Sequence, residues 1–195
     1  EYMFTMMNNE RLAVGMQGLA VAERAYQLAR AYARERKQGR DTISGEDRVP
    51  ILRHPDVRRM LMTMRAQTEA MRALCYDVAA ELDRARRHPD AAERAASQAL
   101  VDFLTPVVKA WCTDLGVEVA SMGVQIHGGM GYVEETGAAQ VLRDARITPI
   151  YEGTNGIQAR DLVGRKVLRE GGETARRFAA LVTATGEALE ARGGD

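Results

Sequence analysis

The chain has 195 residues, enough for one domain with a short additional segment. Lysine and arginine together number 27, as do aspartate and glutamate, so a net charge of zero gives no general attraction to nucleic acid or to an anionic membrane. Aromatic residues make up 5%, which argues against base-stacking platforms. We therefore expect a few placed basic side chains to meet any anionic ligand.

The two cysteines, Cys75 and Cys112, lie in apolar helical patterns, and neither belongs to a CxxC pair. This argues against a disulfide framework or a zinc site and predicts a reducing compartment, the cytoplasm. No apolar run approaches the roughly 18–20 residues that span a bilayer. The N-terminal segment has neither an initiator methionine nor a signal-peptide pattern. We therefore expect a piece of a longer protein.

The first segment shows one apolar stripe at steps of three and four, which predicts a long helix that stops near Gly39. Residues 40–54 are predicted to form a loop, because they contain Gly45, Pro50 and a His-Pro pair. The stripe comprises Leu12, Gly15, Leu19, Ala22, Tyr26, Ala29 and Ala33.

Two further long helices follow. Pro55 is well placed in the first turn of the second, and the third begins after Pro89 and Asp90. Pro106 lacks an N–H group, so it predicts a kink or a late start in the third helix. The predicted buried faces are Val57, Met60, Met64, Met71, Cys75, Val78 and Leu82 on the second helix, and Leu104, Val108, Trp111, Leu115, Val119, Met122 and Ile126 on the third.

Three long antiparallel helices with short loops need a fourth to close their core, and residues 154–169 are the best candidate. A short helix is predicted around residues 138–146. The sequence thus predicts an all-α fold, an antiparallel four-helix bundle (up-down-up-down) with a short extra helix and a C-terminal helical tail. We expect residues 1–170 to form the bundle domain and residues 171–195 to begin an additional helical segment.

Two irregular segments interrupt this regular scaffold, and such segments are where function concentrates. In the first, Glu152 and Gly153 precede Thr154 and Asn155. One interpretation is a plain helix start, with Thr154 or Asn155 as N-cap. The other is a general base, because a carboxylate beside a glycine and a helix start can meet a ligand closely, and desolvation would raise its basicity.

The second irregular segment, residues 125–132, contains two adjacent glycines after His127. It is either a helix stop or a turn whose backbone N–H groups contact a phosphate or nucleotide. The basic run at residues 34–40 is likewise either a solvated helix end or a pyrophosphate clamp. No second His or Cys lies at metal-ligand spacing from His127, so we expect it to be structural or on the surface.

Taken together, these segments resemble one family. NNER, RERKQG, QIHGGMGY and LRDARITPIYEGTNGIQ occur in the order and spacing of the C-terminal helical domain of acyl-CoA dehydrogenases. The resemblance extends to about residue 170 and suggests the longer branch of the family. It implies a flavoprotein of fatty acid metabolism that oxidises an acyl-CoA to a trans-2-enoyl-CoA, with FAD as cofactor and an electron-transfer flavoprotein as electron acceptor.

The resemblance also implies roles for individual residues. Glu152 matches the catalytic base, and its backbone N–H would polarise the thioester carbonyl together with a ribityl hydroxyl of the flavin. Some of the residues that match FAD-binding positions would contact FAD that is bound mainly by a neighbouring subunit, which implies a homodimer or homotetramer. The implied FAD-binding residues are Arg36, Lys37, Gln38, Gln125, Gly128, Gly129, Thr154, Asn155 and Gly156, and the implied substrate-binding residues are Asn8, Arg11 and Gly153.

The chain departs from the family in two respects. It has RKQGR where many members have an aromatic residue before the glycine. It also lacks the N-terminal helical domain and the middle β-domain that the family places before this bundle. Two alternatives therefore stay open: a self-associating helical bundle without activity on its own, and a flavin-dependent acyl-CoA oxidase.

Overall fold

The computed structural model describes residues 2–193, apart from the side chains of residues 2–5 and 8. No strand occurs in this part of the chain, and two isolated bridges, Lys37 to Pro50 and Arg40 to Asp47, tie the loop after the first helix. The predicted all-α class is confirmed. The α-helices are α1 (Tyr2–Glu35), α2 (Pro55–Arg87), α3 (Ala91–His127), α4 (Gly129–Tyr132), α5 (Ala138–Ile147), α6 (Asn155–Asp161) and α7 (Glu173–Ala191).

The starts of α2 and α3 follow from local chemistry, as predicted. Pro55 occupies the first turn of α2, where its missing N–H has no helical partner to lose. The Asp90 carboxylate caps α3 by accepting from the N–H groups of Ala92 at 2.7 Å and Glu93 at 3.4 Å. Of the two alternatives predicted at Pro106, a kink or a late start, the late start is wrong, because α3 begins at Ala91 and continues through this buried proline.

The closest helix contact joins α1 to α3, which run in the same direction. A Cβ atom added at Gly18 would lie 2.5 Å from the Cys112 carbonyl oxygen, and one at Gly116 would lie 2.9 Å from the Gly18 carbonyl oxygen. Further along both helices, the Tyr32 ring stacks on His127 with 4.4 Å between ring centroids. The backbones thus approach too closely for side chains at the glycines.

Helix α2 runs antiparallel to α1 and α3 and completes the principal layer of the core. Its Cys75 Sγ lies 3.7 Å from Cys112 Sγ, and both are free, buried thiols. The Gln67 amide meets Glu118 at 3.0 Å, nearer the C-terminal end of α3. The three long helices therefore alternate up, down and up.

The predicted fourth helix is regular only over Asn155–Asp161. From Leu162 to Val167 the chain continues as π-helical turns, in which Gly164 contributes no side chain to packing. α6 runs opposite to α1, because Asp161 contacts Arg11 and the earlier Tyr151 contacts the later Gln17. The fourth position is therefore filled by one short helix and its irregular extension, while α5 packs against α1 and α3.

Helix α3 lies at the centre of the fold, in contact with α1, α2, α5 and α6. Several faces of α3 are therefore buried. Its fully buried residues include Lys109 as well as apolar side chains. Trp111 is 39% exposed, so its predicted place in the core is wrong. The tail helix α7 is mostly exposed, and its half-buried Phe178 packs on Phe103. Within the described residues, no helix is long and apolar enough to cross a membrane.

Candidate functional site

The Glu152 loop, residues 148–154, joins α5 to α6 and is closed at its base. The Asn155 N–H donates to the Pro149 carbonyl at 3.1 Å. Thr154 is the N-cap of α6, since its hydroxyl accepts from the Ile157 N–H at 3.4 Å. Asn155 is the first helical residue and not the cap. The exposed Glu152 side chain therefore projects from the middle of a closed loop.

The backbone of this loop is left-handed at two successive residues. Glu152 has a φ of 54° and Gly153 a φ of 89°. Left-handed backbone costs a residue with a side chain roughly 1–2 kcal/mol. Gly153 avoids this cost, and a Cβ atom there would lie 2.8 Å from Nε2 of the buried Gln158. That amide donates to the Gly153 carbonyl at 3.1 Å, so the hydrogen bond from Gln158 supports the left-handed turn at Glu152 and Gly153.

Asn155 fastens the loop to α3. Its Nδ2 atom donates to Asp114 Oδ1 at 2.7 Å and to the Ala110 carbonyl at 3.1 Å. Its Oδ1 accepts from the Lys109 ammonium at 2.9 Å. The side chain predicted to contact flavin is therefore engaged with α3. Lys109 was not among the residues predicted from the sequence, where its only signal is a lysine inside an apolar pattern.

Tyr151 fastens the other side of the loop to α1, where its hydroxyl donates to the Gln17 side-chain oxygen. Burial raises the pKa of the Tyr151 phenol, and the neighbouring Glu152 charge acts in the same direction. The phenol is thus kept protonated as a hydrogen-bond donor. Glu152 consequently lies between two anchored neighbours.

A basic pocket lies beside α6. Its volume is about 460 Å³, and Arg11 contacts Asp161 at 3.4 Å at one wall. Arg165 also contacts Asp161 at 3.4 Å. The side chain of Asn8, predicted to act with Arg11, lies outside the described residues. The remaining lining residues are Ile157, Arg160, Gly164 and Arg169.

A second pocket brings together two motifs that are far apart in the sequence. Arg36, Gln38, Gly128 and Gly129 line one cavity of about 680 Å³. The Arg36 guanidinium donates to the Gln38 side-chain oxygen at 3.1 Å. The predicted Lys37 and Gln125 are exposed beside this cavity without lining it. The cavity offers a guanidinium, an amide and glycine backbone to a ligand.

His127 forms part of the wall of this second pocket, as does the Tyr32 ring stacked on it. Its Nδ1 atom is 2.7 Å from the Gly123 carbonyl, so the ring is held by its own helix. No group of His, Cys, Asp or Glu that could hold a metal ion occurs in residues that the structure describes. His127 was predicted to be structural or on the surface, and its burial excludes the surface position.

The Glu152 loop and the second pocket are two regions at different positions along α3. Asn155 contacts α3 at residues 109–114, whereas Gly128 follows the end of that helix. At about 1.5 Å per residue, the two regions are separated by roughly 20–30 Å. The structure therefore divides the predicted cofactor residues into two groups.

Residues 1–168 match the model of the acyl-CoA dehydrogenase C-terminal domain. The chain belongs to the acyl-CoA dehydrogenase family. It is 61% identical over 185 residues to 3-methylmercaptopropionyl-CoA dehydrogenase of Ruegeria pomeroyi, covering 94% of this chain and 31% of that protein. It is 34% identical over 181 residues to butyryl-CoA dehydrogenase of Syntrophomonas wolfei, covering 92% of this chain and 30% of that protein.

Among solved structures, butyryl-CoA dehydrogenase from Megasphaera elsdenii is similar, with a TM-score of 0.65 and 30% identity. The match covers 82% of this chain and 36% of that one. The chain thus spans about a third of the length of the acyl-CoA dehydrogenases it resembles.

The donor set of the second pocket suits an anionic dinucleotide. Arg36 offers a guanidinium that pairs well with a pyrophosphate, and Gln38 offers a side-chain amide for hydrogen bonds with polar atoms of the ligand. A Cβ atom added at Gly128 or Gly129 would meet no neighbouring atom within 4 Å, so the backbone of this turn is open to a ligand. These residues therefore fit part of the cofactor of an acyl-CoA dehydrogenase.

Proposed function

We propose that the full-length protein is an FAD-dependent acyl-CoA dehydrogenase in which Glu152 removes the α-proton of an acyl-CoA thioester. One observation carries the proposal: Glu152 keeps an exposed carboxylate on left-handed backbone, between neighbours anchored to α1 and α3. Such strain in a residue other than glycine persists where the surroundings enforce it, and it concentrates at functional sites.

Glu152 would hold two functions in one residue. Its carboxylate would accept the α-proton, and its backbone N–H would donate to the thioester carbonyl, which makes that proton more acidic. Gly153 would present only backbone to the thioester, since Gln158 Nε2 occupies the place that a Cβ atom would take. When bound, FAD supplies the hydride acceptor for the β-hydrogen, so that the product is a trans-2-enoyl-CoA.

The cofactor would contact both groups of predicted residues. Arg36, Lys37, Gln38, Gln125, Gly128 and Gly129 would hold one FAD near the end of α3, and Thr154, Asn155 and Gly156 would adjoin the reacting flavin. Asn155 would adjoin the flavin without donating a hydrogen bond to it, because its side chain faces α3 and its N–H donates to Pro149. As the family resemblance implies, the two groups would contact flavins of two subunits, in a homodimer or homotetramer, and their separation of roughly 20–30 Å along α3 leaves room for this arrangement. An electron-transfer flavoprotein would then accept the electrons.

The substrate would be a short acyl-CoA. Two of the similar proteins carry names that specify small acyl groups, 3-methylmercaptopropionyl and butyryl. The basic pocket beside α6 would accept the anionic CoA portion, with Arg11 held in place by Asp161. Asn8 would assist from the same end of α1.

The test is Glu152→Gln in the full-length holoenzyme. We expect flavin reduction by butyryl-CoA or 3-methylmercaptopropionyl-CoA to slow by roughly 10²–10⁴-fold, because the amide cannot accept the proton. FAD content should equal that of the wild-type protein. Stopped-flow absorbance of the flavin measures the rate, and Glu187→Gln on exposed α7 is the matched control. Near-normal reduction in Glu152→Gln would refute the assignment of the base.

A further inference from the structure

Lys109 is the largest fully buried side chain in the part of the chain that the structure describes. It lies in the middle of α3, among apolar residues such as Val108 and Cys112 that form the core. Removing an ammonium group from water carries a large free-energy cost unless partners compensate. A methionine of similar length could fill this position without that cost. The packing of α3 alone therefore gives no reason for a lysine here.

The Lys109 ammonium is directed at the Glu152 loop. Its Nζ donates to Asn155 Oδ1 at 2.9 Å, and Asn155 is the residue immediately after that loop. The Asn155 amide in turn donates to Asp114 Oδ1 at 2.7 Å. Lysine, asparagine and aspartate thus form a charge-assisted chain across the α3–α6 contact.

The electrostatics around Lys109 connect it to the same loop. Burial lowers the pKa of the Lys109 ammonium, and the Asp114 charge opposes this shift. Arg11 on α1 lowers the pKa further, whereas Glu152 raises it. The charge of Glu152, the proposed base, therefore affects the pKa of the Lys109 ammonium. The Lys109 side chain itself is fully buried.

We propose that Lys109 is a positioning residue that acts through Asn155 to hold the Glu152 loop in its strained, reactive conformation. This inference rests on the proposed function, because it assigns Lys109 a part in proton abstraction by Glu152. Lys109 itself contacts neither substrate nor cofactor, since its side chain is fully buried beneath the loop. Its hydrogen bond instead fixes Asn155, whose backbone N–H closes the loop on Pro149 at 3.1 Å.

The test compares Lys109→Met, Asn155→Ala and their combination in the full-length holoenzyme. Stopped-flow titration with butyryl-CoA separates the rate constant of flavin reduction from the dissociation constant of the substrate. We expect each single variant to slow flavin reduction by roughly 10- to 100-fold, because a small misplacement of the base is enough for this loss. The dissociation constant should change by less than about threefold, since the substrate contacts remain.

The double variant reports whether the two residues act as a unit. We expect it to be no slower than the slower single variant, because either substitution already breaks the same connection. Thr105→Val is the control for altered polarity on buried α3, since the Thr105 hydroxyl bonds only the Val101 carbonyl of its own helix among the contacts found in the described residues. It should reduce flavin at the wild-type rate.

Wild-type flavin reduction in Lys109→Met, or multiplied losses in the double variant, would overturn the proposal. If Lys109→Met yields no holoenzyme, Asn155→Ala decides, and a wild-type rate there also overturns it. Glu152→Gln measured in parallel keeps the two hypotheses apart. A slow Glu152→Gln beside a normal Lys109→Met refutes only the positioning role, whereas a normal Glu152→Gln refutes the base itself.

Discussion

Glu152 combines two demands that oppose each other at the residue scale. Its φ of 54° is a conformation that glycine adopts without cost, yet the proposed chemistry needs a carboxylate there. The anchors on either side hold the conformation: Tyr151 bonds Gln17, and Asn155 bonds Lys109. The left-handed backbone at Glu152 thus lowers the free energy of unfolding, and it places the carboxylate on the outside of the loop.

This conflict predicts an ordering of stability among variants that lack the carboxylate. Glu152→Gly should be more stable than Glu152→Ala by about 1 kcal/mol, because glycine relieves left-handed strain that alanine keeps. Both should fail to reduce flavin. Denaturant unfolding of the full-length protein measures the difference in the free energy of unfolding. Equal stability of the two variants would show that the left-handed backbone at this position carries no strain.

The sequence allowed a hypothesis about the chemistry of the site, whereas the geometry of the site could not be predicted from it. Glu152 was assigned as the base through the resemblance of the surrounding motifs, because a carboxylate beside a glycine and a helix start fits a plain helix start equally well. The inward direction of Asn155 was not, because it depends on α3 passing beneath the loop. The burial of Lys109 arises from the same tertiary contact. Local patterns cannot reveal which polar side chain a distant helix will cover.

At the scale of helices, the α1–α3 contact depends on small residues. The Cβ atom that an alanine would add at Gly18 lies 2.5 Å from a carbonyl oxygen of α3, so the backbone itself is the obstacle. Both anchors of the Glu152 loop attach to these two helices, at Gln17 and Lys109. The spacing of α1 and α3 therefore sets the span across which the loop is held.

Gly18→Ala should destabilise the protein by about 1–3 kcal/mol, because the added methyl group forces the two helices apart. Gly186→Ala is its counterpart in exposed α7, where a Cβ atom would meet nothing within 4 Å. That substitution should stabilise the protein by about 0.5–1 kcal/mol through helix propensity. Denaturant midpoints of the full-length protein test both. A stable Gly18→Ala protein would mean that the helices separate at little cost.

The sequence predicted the long helices well because their signals are local. Pro55 and Asp90 mark helix starts by their own chemistry, and α5 was expected almost as observed. The fourth helix was less predictable, since its apolar spacing does not distinguish α-helical from π-helical turns. Trp111 was misplaced because a single stripe was assumed for α3, a helix enclosed by several neighbours.

At the scale of the whole molecule, neither region along α3 forms a closed site within the residues that the structure describes. The second pocket is an open cavity beside the exposed Arg36, and the Glu152 carboxylate is exposed. The chain spans 31% of the length of its relative from Ruegeria pomeroyi. Desolvation by the rest of the protein and by the substrate is what would make Glu152 an effective base.

We therefore expect the isolated chain of 195 residues to fold into helices without catalytic activity. Far-ultraviolet circular dichroism should show a helical protein, and its exposed apolar side chains, such as Leu181 and Leu189, favour self-association. Added FAD should not stay bound through gel filtration, and butyryl-CoA should not bleach it. The full-length holoenzyme at equal concentration is the positive control. Bleaching by the isolated chain would instead mean that these helices carry a complete flavin and substrate site.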